Sequence, residues 1–218
     1  MSDETDEATA RAQAAAADLK RRIESLDGDG LDLIFREART YRAWQAREVS
    51  DETLRRVWDL ARWGATSGNC CPGRIVFLKS DAAKERLKPA LDEGNVDQTM
   101  AAPVCAIVGY DLAFYRDIEW LAPLMAGMAK VFAKNAALAE TTAFRNGSLQ
   151  GAYLMIAARA LGLDCGPMSG FDNDLVDETF FAGTEIRSNF LCNLGYGDPG
   201  KLYPRGPRHA FDQACRIL

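Results

Sequence analysis

At 218 residues, 48% of them apolar and 26% charged, the chain has room for one sizeable core and the composition of an ordinary water-facing protein. A net charge of −5 without any cluster of lysine and arginine argues against a nucleic-acid surface. No apolar run approaches the ~18 residues of a membrane helix, so no membrane association is expected.

The start, Met1 to Glu7, is acidic and lacks the basic and apolar regions of a signal peptide, which predicts a cytoplasmic protein. Residues 1–30 read as an extension, helical over the Ala-rich Ala8 to Ile23, partly mobile, and interrupted at Gly28 and Gly30. The folded domain is expected over 31–218. Ser50-Asp51-Glu52 is a helix start, with a cap followed by acids in the first turn, and Gly64 is a fitting stop. Inside it Leu54, Val57, Trp58 and Ala61 share one face. Ile75 to Leu78 reads as a strand, Ser80 caps a helix through Leu87, and Val104 to Val108 is a second buried strand.

From Leu112 to Thr142 the pattern is helical but ragged. Phe114, Tyr115, Trp120, Met125, Met128 and Phe132 look exposed there, either as a cover over a pocket or as ordinary core. Gly151 to Leu161 is a nearly all-apolar helix interrupted only by Arg159. A loop containing Gly166, Pro167 and Gly170 follows, then a helix with Leu175, Val176 and Phe180, and a third strand over Phe190 to Leu194. Few strands, many helices and no regular βαβ alternation predict an α+β fold.

Gly195-Tyr196-Gly197-Asp198-Pro199-Gly200 matches G-x-G-x-x-G literally. A dinucleotide fingerprint must open a helix, and Pro199, Pro204 and Pro207 prevent one, so this is a turn. Six scattered cysteines (Cys70, Cys71, Cys105, Cys165, Cys192, Cys215) without C-x-x-C spacing predict thiols, with no disulfide and no metal site. The one histidine, His209, has nothing nearby to form a nucleophilic triad.

Five pieces could carry ligand chemistry. Arg39, Thr40 and Arg42 place two cations and a hydroxyl within four residues, fit for phosphate or simply solvated. Ala65-Thr66-Ser67-Gly68-Asn69-Cys70-Cys71-Pro72 packs small polar groups after a helix stop. Asn95 can bond a ring edge or cap a turn, and Arg205 and Arg208 form a second basic pair on a Pro-limited segment. The loop at Gly166 to Gly170 can offer backbone N–H groups to a flat ligand, or merely connect two helices.

Together and in this order, these pieces resemble the FMN-dependent nitroreductase family. Ala38 to Trp44 (Ala-Arg-Thr-Tyr-Arg-Ala-Trp) corresponds to the family's Arg-rich opening pattern, Ala65 to Pro72 to its "PSSxNxQP" loop, and Pro167 to Asp172 to its "Pro-x-x-Gly-Phe-Asp" loop. The strings Leu87 to Asp97, Thr142 to Gly151 and Arg187 to Gly197 look like the malonic semialdehyde reductase branch, associated with pyrimidine breakdown. The resemblance implies a central, mostly antiparallel sheet surrounded by helices in an intertwined homodimer, with FMN at the subunit interface. It implies ping-pong hydride transfer from NADPH or NADH through flavin N5 to malonic semialdehyde, giving 3-hydroxypropanoate, with no side-chain nucleophile.

By position, the resemblance assigns Arg39 and Thr40, with Arg205 or Arg208, to the FMN phosphate. Arg42 would face the N1/O2 edge of the isoalloxazine and Asn95 its pyrimidine edge. Thr66, Ser67 and Asn69 would come from the other subunit. Pro167, Met168, Ser169 and Gly170 would line one face, with an N–H near Gly170 toward N5. Arg145 or Arg187 would take an anionic substrate. The chain departs from the pattern at Ala38 (Arg in the family), Ser169 (often Glu) and Gln98 (often Lys). Rival readings are a broad-specificity nitro, quinone or flavin reductase, a non-catalytic flavin-binding interaction subunit, and thiol redox chemistry at Cys70-Cys71.

Overall fold

The structure is a computed structural model that describes residues 2–218, with side chains from Glu7 onward. The described chain divides into two compact units, one ending at Ala38 and the other spanning Arg39–Leu218. In the first, helix α1 (Ser2–Arg22) ends on Lys20, Arg21 and Arg22, cations that complement its carbonyl end. Asp18 accepts from Arg22 at 2.8 Å and from Arg21 at 3.2 Å. One-turn helix α2 (Gly28–Leu31), capped by Asp27, continues into a wide π stretch at Asp32–Arg36.

The second unit is built on a four-stranded, fully antiparallel sheet in the order β1-β2-β4-β3. The strands are β1 (Gly73–Leu78), β2 (Val104–Asp111), β3 (Asp164–Met168) and β4 (Ile186–Gly195). Strand β2 reads as an unbroken apolar run because both sheet faces are covered. Its alternate residues go to opposite cores: Val104, Ala106 and Val108 to one, Cys105 and Ile107 to the other.

The first core is closed by α3 (Asp51–Ala61) and the 25-residue α8 (Ala136–Ala160). Ser50 caps α3 by accepting Thr53 N–H at 3.1 Å, a bond worth about 1 kcal/mol. Leu54, Val57 and Ala61 are the buried face of α3, as the spacing predicts. Helix α8 begins at the Asn135 cap and ends in a Schellman motif. Gly162, at φ +78°, sends its N–H to Arg159 O (2.9 Å), while Leu163 N–H reaches Ala158 O (2.9 Å). At Gly151 of α8 the sheet comes so close that a Cβ would lie 2.5 Å from the Phe190 ring.

The second core packs Leu78, Leu87, Leu91, Ile107, Val176 and Leu191 beneath α4 (Asp81–Leu87) and α9 (Asn173–Phe180). Between α4 and β2 lies α5 (Glu93–Ala101). A smaller cluster holds Cys70, Phe114, Ile118, Ala139 and Ala143. It lies where the chain passes through α6 (Ile118–Leu121) and α7 (Met128–Lys134). The last helical turn is α10 (Phe211–Ala214).

Two expectations are corrected. Gly166 and Pro167 do not lie in a connecting loop but in β3. Proline fits there because β3 is an edge strand, where a missing N–H need not break the ladder. Phe114 is not exposed: it is 1% accessible, edge-on to Phe132 and Tyr115. Trp120, at 80%, and Met125 are exposed as expected. The segment after β4 forms a turn with a single 3-10 turn at Pro199–Lys201, which agrees with rejecting a dinucleotide fingerprint.

Candidate active site

The outer side of β3 is where most of the expected ligand-binding residues meet. Thr40 bridges to Cys165 in parallel, Tyr41 N–H donates to Cys165 O at 3.1 Å, and Trp44 bridges to Gly197. The arginine segment is therefore fixed along the β3 edge by backbone pairing. Close approach is built in, since a Cβ on Gly166 would sit 2.5 Å from Tyr41 O. The guanidinium of Arg39 donates to the carbonyl of Tyr203, two residues before Arg205. Arg208 turns its own guanidinium to Gly206 O and Pro207 O at 3.1 and 2.9 Å. Arg42 and Thr40 are exposed, while Arg39 is half-buried.

Beyond Met168 the chain leaves the sheet, and its direction is set by the carbonyl of Gly170. That carbonyl accepts Asp92 N–H at 3.1 Å and the Asn95 carboxamide at 2.8 Å. Leu91 and Phe171 bridge alongside. With this carbonyl held by α5, the backbone N–H groups of Ser169 and Gly170 have no partner among the described residues. Pro167 and Met168 are half-buried and Ser169 is exposed. Asn95 is held in turn by Gln98, whose Nε2 donates to Asn95 Oδ1 at 2.5 Å. Trp44 Nε1 donates to Gln98 O at 3.0 Å, joining this group to the arginine segment.

Thr66, Ser67 and Asn69 form a second group. Ser67 N–H donates to Asn146 Oδ1 of α8 at 2.8 Å and Asn69 Nδ2 to Leu121 O at 2.7 Å. Cys71 N–H donates to Thr66 Oγ1 at 3.2 Å. The loop holds three left-handed residues, Gly68, Asn69 and Cys71, at φ +55°, +51° and +40°. A left-handed backbone at a non-glycine residue costs about 1–3 kcal/mol and marks functional loops. Among the described residues, no hydrogen bond or ion pair joins Thr66, Ser67 or Asn69 to the β3-edge group.

The two arginines expected to meet an anionic substrate are set apart. Arg145 is exposed on α8, next to the Asn146 that holds Ser67. Arg187 lies four residues before Leu191, the β4 partner of Met168, and sits 3.4 Å from the carboxylate of Asp177. Asn146, Leu121 and Tyr203 are supporting contacts that sequence reasoning did not assign, because each acts through a neighbour distant in the chain.

Three of the buried thiols are held in the protonated form by their surroundings. Burial pushes Cys105 up to about 12 and Cys70 up to about 11, and Cys192 is raised by its bond with Cys165 and by burial. Among the described residues no group of three or more His, Cys, Asp or Glu can hold a metal ion. No helix there is long and apolar enough to cross a membrane.

This α+β architecture is that of a known family. The model of the nitroreductase family matches residues 35–196, and the chain belongs to that family. It is 60% identical over 195 residues to a Burkholderia lata protein named as an NADH dehydrogenase/NAD(P)H nitroreductase, covering 89% of this chain and 100% of that protein. Two solved structures share the fold at 19% identity. One is a nitroreductase from Exiguobacterium sibiricum in complex with FMN (TM-score 0.77, covering 89% of this chain and 99% of that one). The other is an NAD(P)H:FMN oxidoreductase from Staphylococcus epidermidis (TM-score 0.78, covering 89% and 98%).

Proposed function

We propose that the chain is an FMN-dependent NAD(P)H oxidoreductase, working as a homodimer with FMN at the subunit interface and reducing malonic semialdehyde to 3-hydroxypropanoate. Its FMN-binding domain is residues 31–218, with 1–30 as an extension. The observation that carries the reading is the β3 exit, where the Gly170 carbonyl is pinned by Asp92 and Asn95 while two backbone N–H groups stay available.

The donor set fits FMN. Arg39, Thr40, Arg205 and Arg208 suit a phosphate dianion through charge-assisted bonds. Arg42 suits the ring edge that gains negative charge on reduction, and Asn95 suits a polar ring edge. Gly170 suits close packing, since a Cβ there would meet Asn95 Nδ2 and Asp92 Oδ2 at 2.6 Å. Bound FMN supplies reversible hydride chemistry that no side chain offers. The chain's own part is to hold the phosphate, orient the ring edge and keep backbone donors against the ring. The FMN complex and the NAD(P)H names among its relatives support this assignment.

The dimer reading is supported by the division of the donors into two groups that no hydrogen bond or ion pair joins among the described residues. Thr66, Ser67 and Asn69, anchored on α8, then serve the partner's FMN. Arg145, adjoining that loop, is the better cation for a small anionic substrate, because Arg187 already faces Asp177. A competition assay tests the substrate: kcat/KM for malonic semialdehyde should exceed that for nitroaromatics, and R145A should raise KM for the semialdehyde. The reverse preference would favour a broad-specificity reductase, for which the exposed Trp120, Leu124 and Met125 form a permissive apolar surface.

A further inference from the structure

We propose that helix α1 docks, through its apolar face, on α1 of a second copy of this chain, the two helices running antiparallel. This rests on the homodimer reading above and goes beyond it, because the nitroreductase family model begins at residue 35, after α1.

At 3.6 residues per turn, Ala8, Ala12, Ala15, Ala16, Leu19 and Ile23 fall within an arc of about 100°. Ile23 shares the arc because its N–H still donates to Leu19 O at 2.8 Å, extending the last turn. All six are exposed, and Leu19 and Ile23 are 50% and 51% accessible, so one chain leaves this face uncovered. The flank of the arc is charged. There Asp18 holds Arg22 at 2.8 Å, and Arg11 lies 3.8 Å from Glu7.

Bulky and small residues sit at opposite ends of the face, which selects both the occupant and its direction. With a two-fold axis between Ala15 and Ala16, Leu19 of one copy meets Ala12 of the other, and Ile23 meets Ala8. Each bulky side chain then lies over a methyl group, so the helices keep an even spacing. The same register brings Arg11 toward Asp18 of the second copy and Glu7 toward its Arg22, so the charged flank complements itself. Antiparallel axes also set opposite macrodipole ends together. A parallel pair would place Leu19 and Ile23 on themselves and alanine on alanine, leaving a gap at one end. So short a seam is weak alone. The homodimer, by holding two copies of α1 on one particle, supplies the effective concentration that it needs.

The test is disulfide trapping in the full-length chain, in a background where C71S and C215S remove the two thiols that are not buried. Mild oxidation should convert most of an A12C/L19C variant to covalent dimer and little of L19C alone. In the antiparallel register the two copies of position 19 lie about 10 Å apart, as do positions 12 and 19 within one helix, too far for a disulfide. Covalent dimer formed as readily by L19C alone overturns the proposal, as does none from A12C/L19C when light scattering gives a dimer. A monomer by light scattering overturns the homodimer reading itself, a separate failure. Hydrogen exchange supplies a reading without cysteines. A lone helix of this length is marginal in water, so α1 amides of wild type should exchange at least about tenfold more slowly than those of L19D. Equal exchange in the two overturns the proposal.

Discussion

The carboxylate of Asp164 accepts the backbone N–H of Gly197 at 2.8 Å, tying the start of β3 to the turn that follows β4. The Tyr41 ring packs so closely on Gly197 that a Cβ there would lie 2.0 Å from it. Burial raises the Asp164 pKa above its usual 3.8, and the Gly197 bond and nearby Arg159 only partly offset that. In the folded chain the proton is thus held more tightly than in the unfolded one. The residue's contribution is fully present below the unfolded pKa, near 3.8, and is lost as pH rises through the raised folded value.

Asp164→Asn keeps an acceptor for Gly197 and removes the charge. Urea unfolding of wild type and variant should therefore show a stability difference, variant minus wild type, that grows as pH rises across that window. A difference that is flat in pH would sink this account of Asp164.

Gly170→Ala places a methyl 2.6 Å from both the Asn95 amide and the Asp92 carboxylate, so one of them must move. Overpacking of this kind costs about 1–3 kcal/mol, felt where Asn95 is oriented. FMN affinity measured by quenching of flavin fluorescence should fall about tenfold, while far-ultraviolet circular dichroism stays native. Unchanged affinity would mean that Gly170 and Asn95 do not form the cradle.

Arg39 is expected to serve the phosphate and not the ring. Wild type should then prefer FMN to riboflavin strongly, and Arg39→Ala should lose about 1.5–3 kcal/mol of that preference, roughly tenfold or more, with riboflavin affinity little changed. Equal losses for both ligands would place Arg39 in a structural role, through its bond to Tyr203.

Thiol accessibility separates flavin chemistry from the thiol rival. Cys215 is exposed and Cys71 half-buried, whereas Cys70, Cys105, Cys165 and Cys192 are buried. Native protein should react rapidly with a thiol reagent at Cys215 and more slowly at Cys71, and all six thiols should react once it is unfolded. A C70S/C71S variant should keep reductase activity, and loss of that activity without loss of bound FMN would favour the thiols.

Much of this was legible in the sequence, and the misses have physical causes. Ser50 and Ser80 were read as caps because a helix start is a local event, settled within four residues. Strands β1, β2 and β4 were legible because burial on both faces makes them apolar runs. Strand β3 was not, since its Gly166-Pro167 pair carries a turn signal. Its strand character comes from pairing with β4 on one side and with Thr40 and Tyr41 on the other. Phe114 was misjudged because a short cluster around Cys70 and Ala143, far off in sequence, covers it. At the site, the sequence offers candidate residues one by one, but not the Gln98–Asn95–Gly170 chain that links three of their positions. The Asn95–Gly170 bond that fixes it spans 75 residues and leaves no periodic trace.

The central claim is most directly tested by the absorption spectrum of the purified protein before and after anaerobic NADPH or NADH, with malonic semialdehyde added last. The account predicts yellow flavin bands that bleach with the nicotinamide and return with the semialdehyde. Bleaching without recovery would contradict the proposed substrate while leaving the oxidoreductase in place. A colourless protein that added FMN cannot reconstitute would contradict the account at its root.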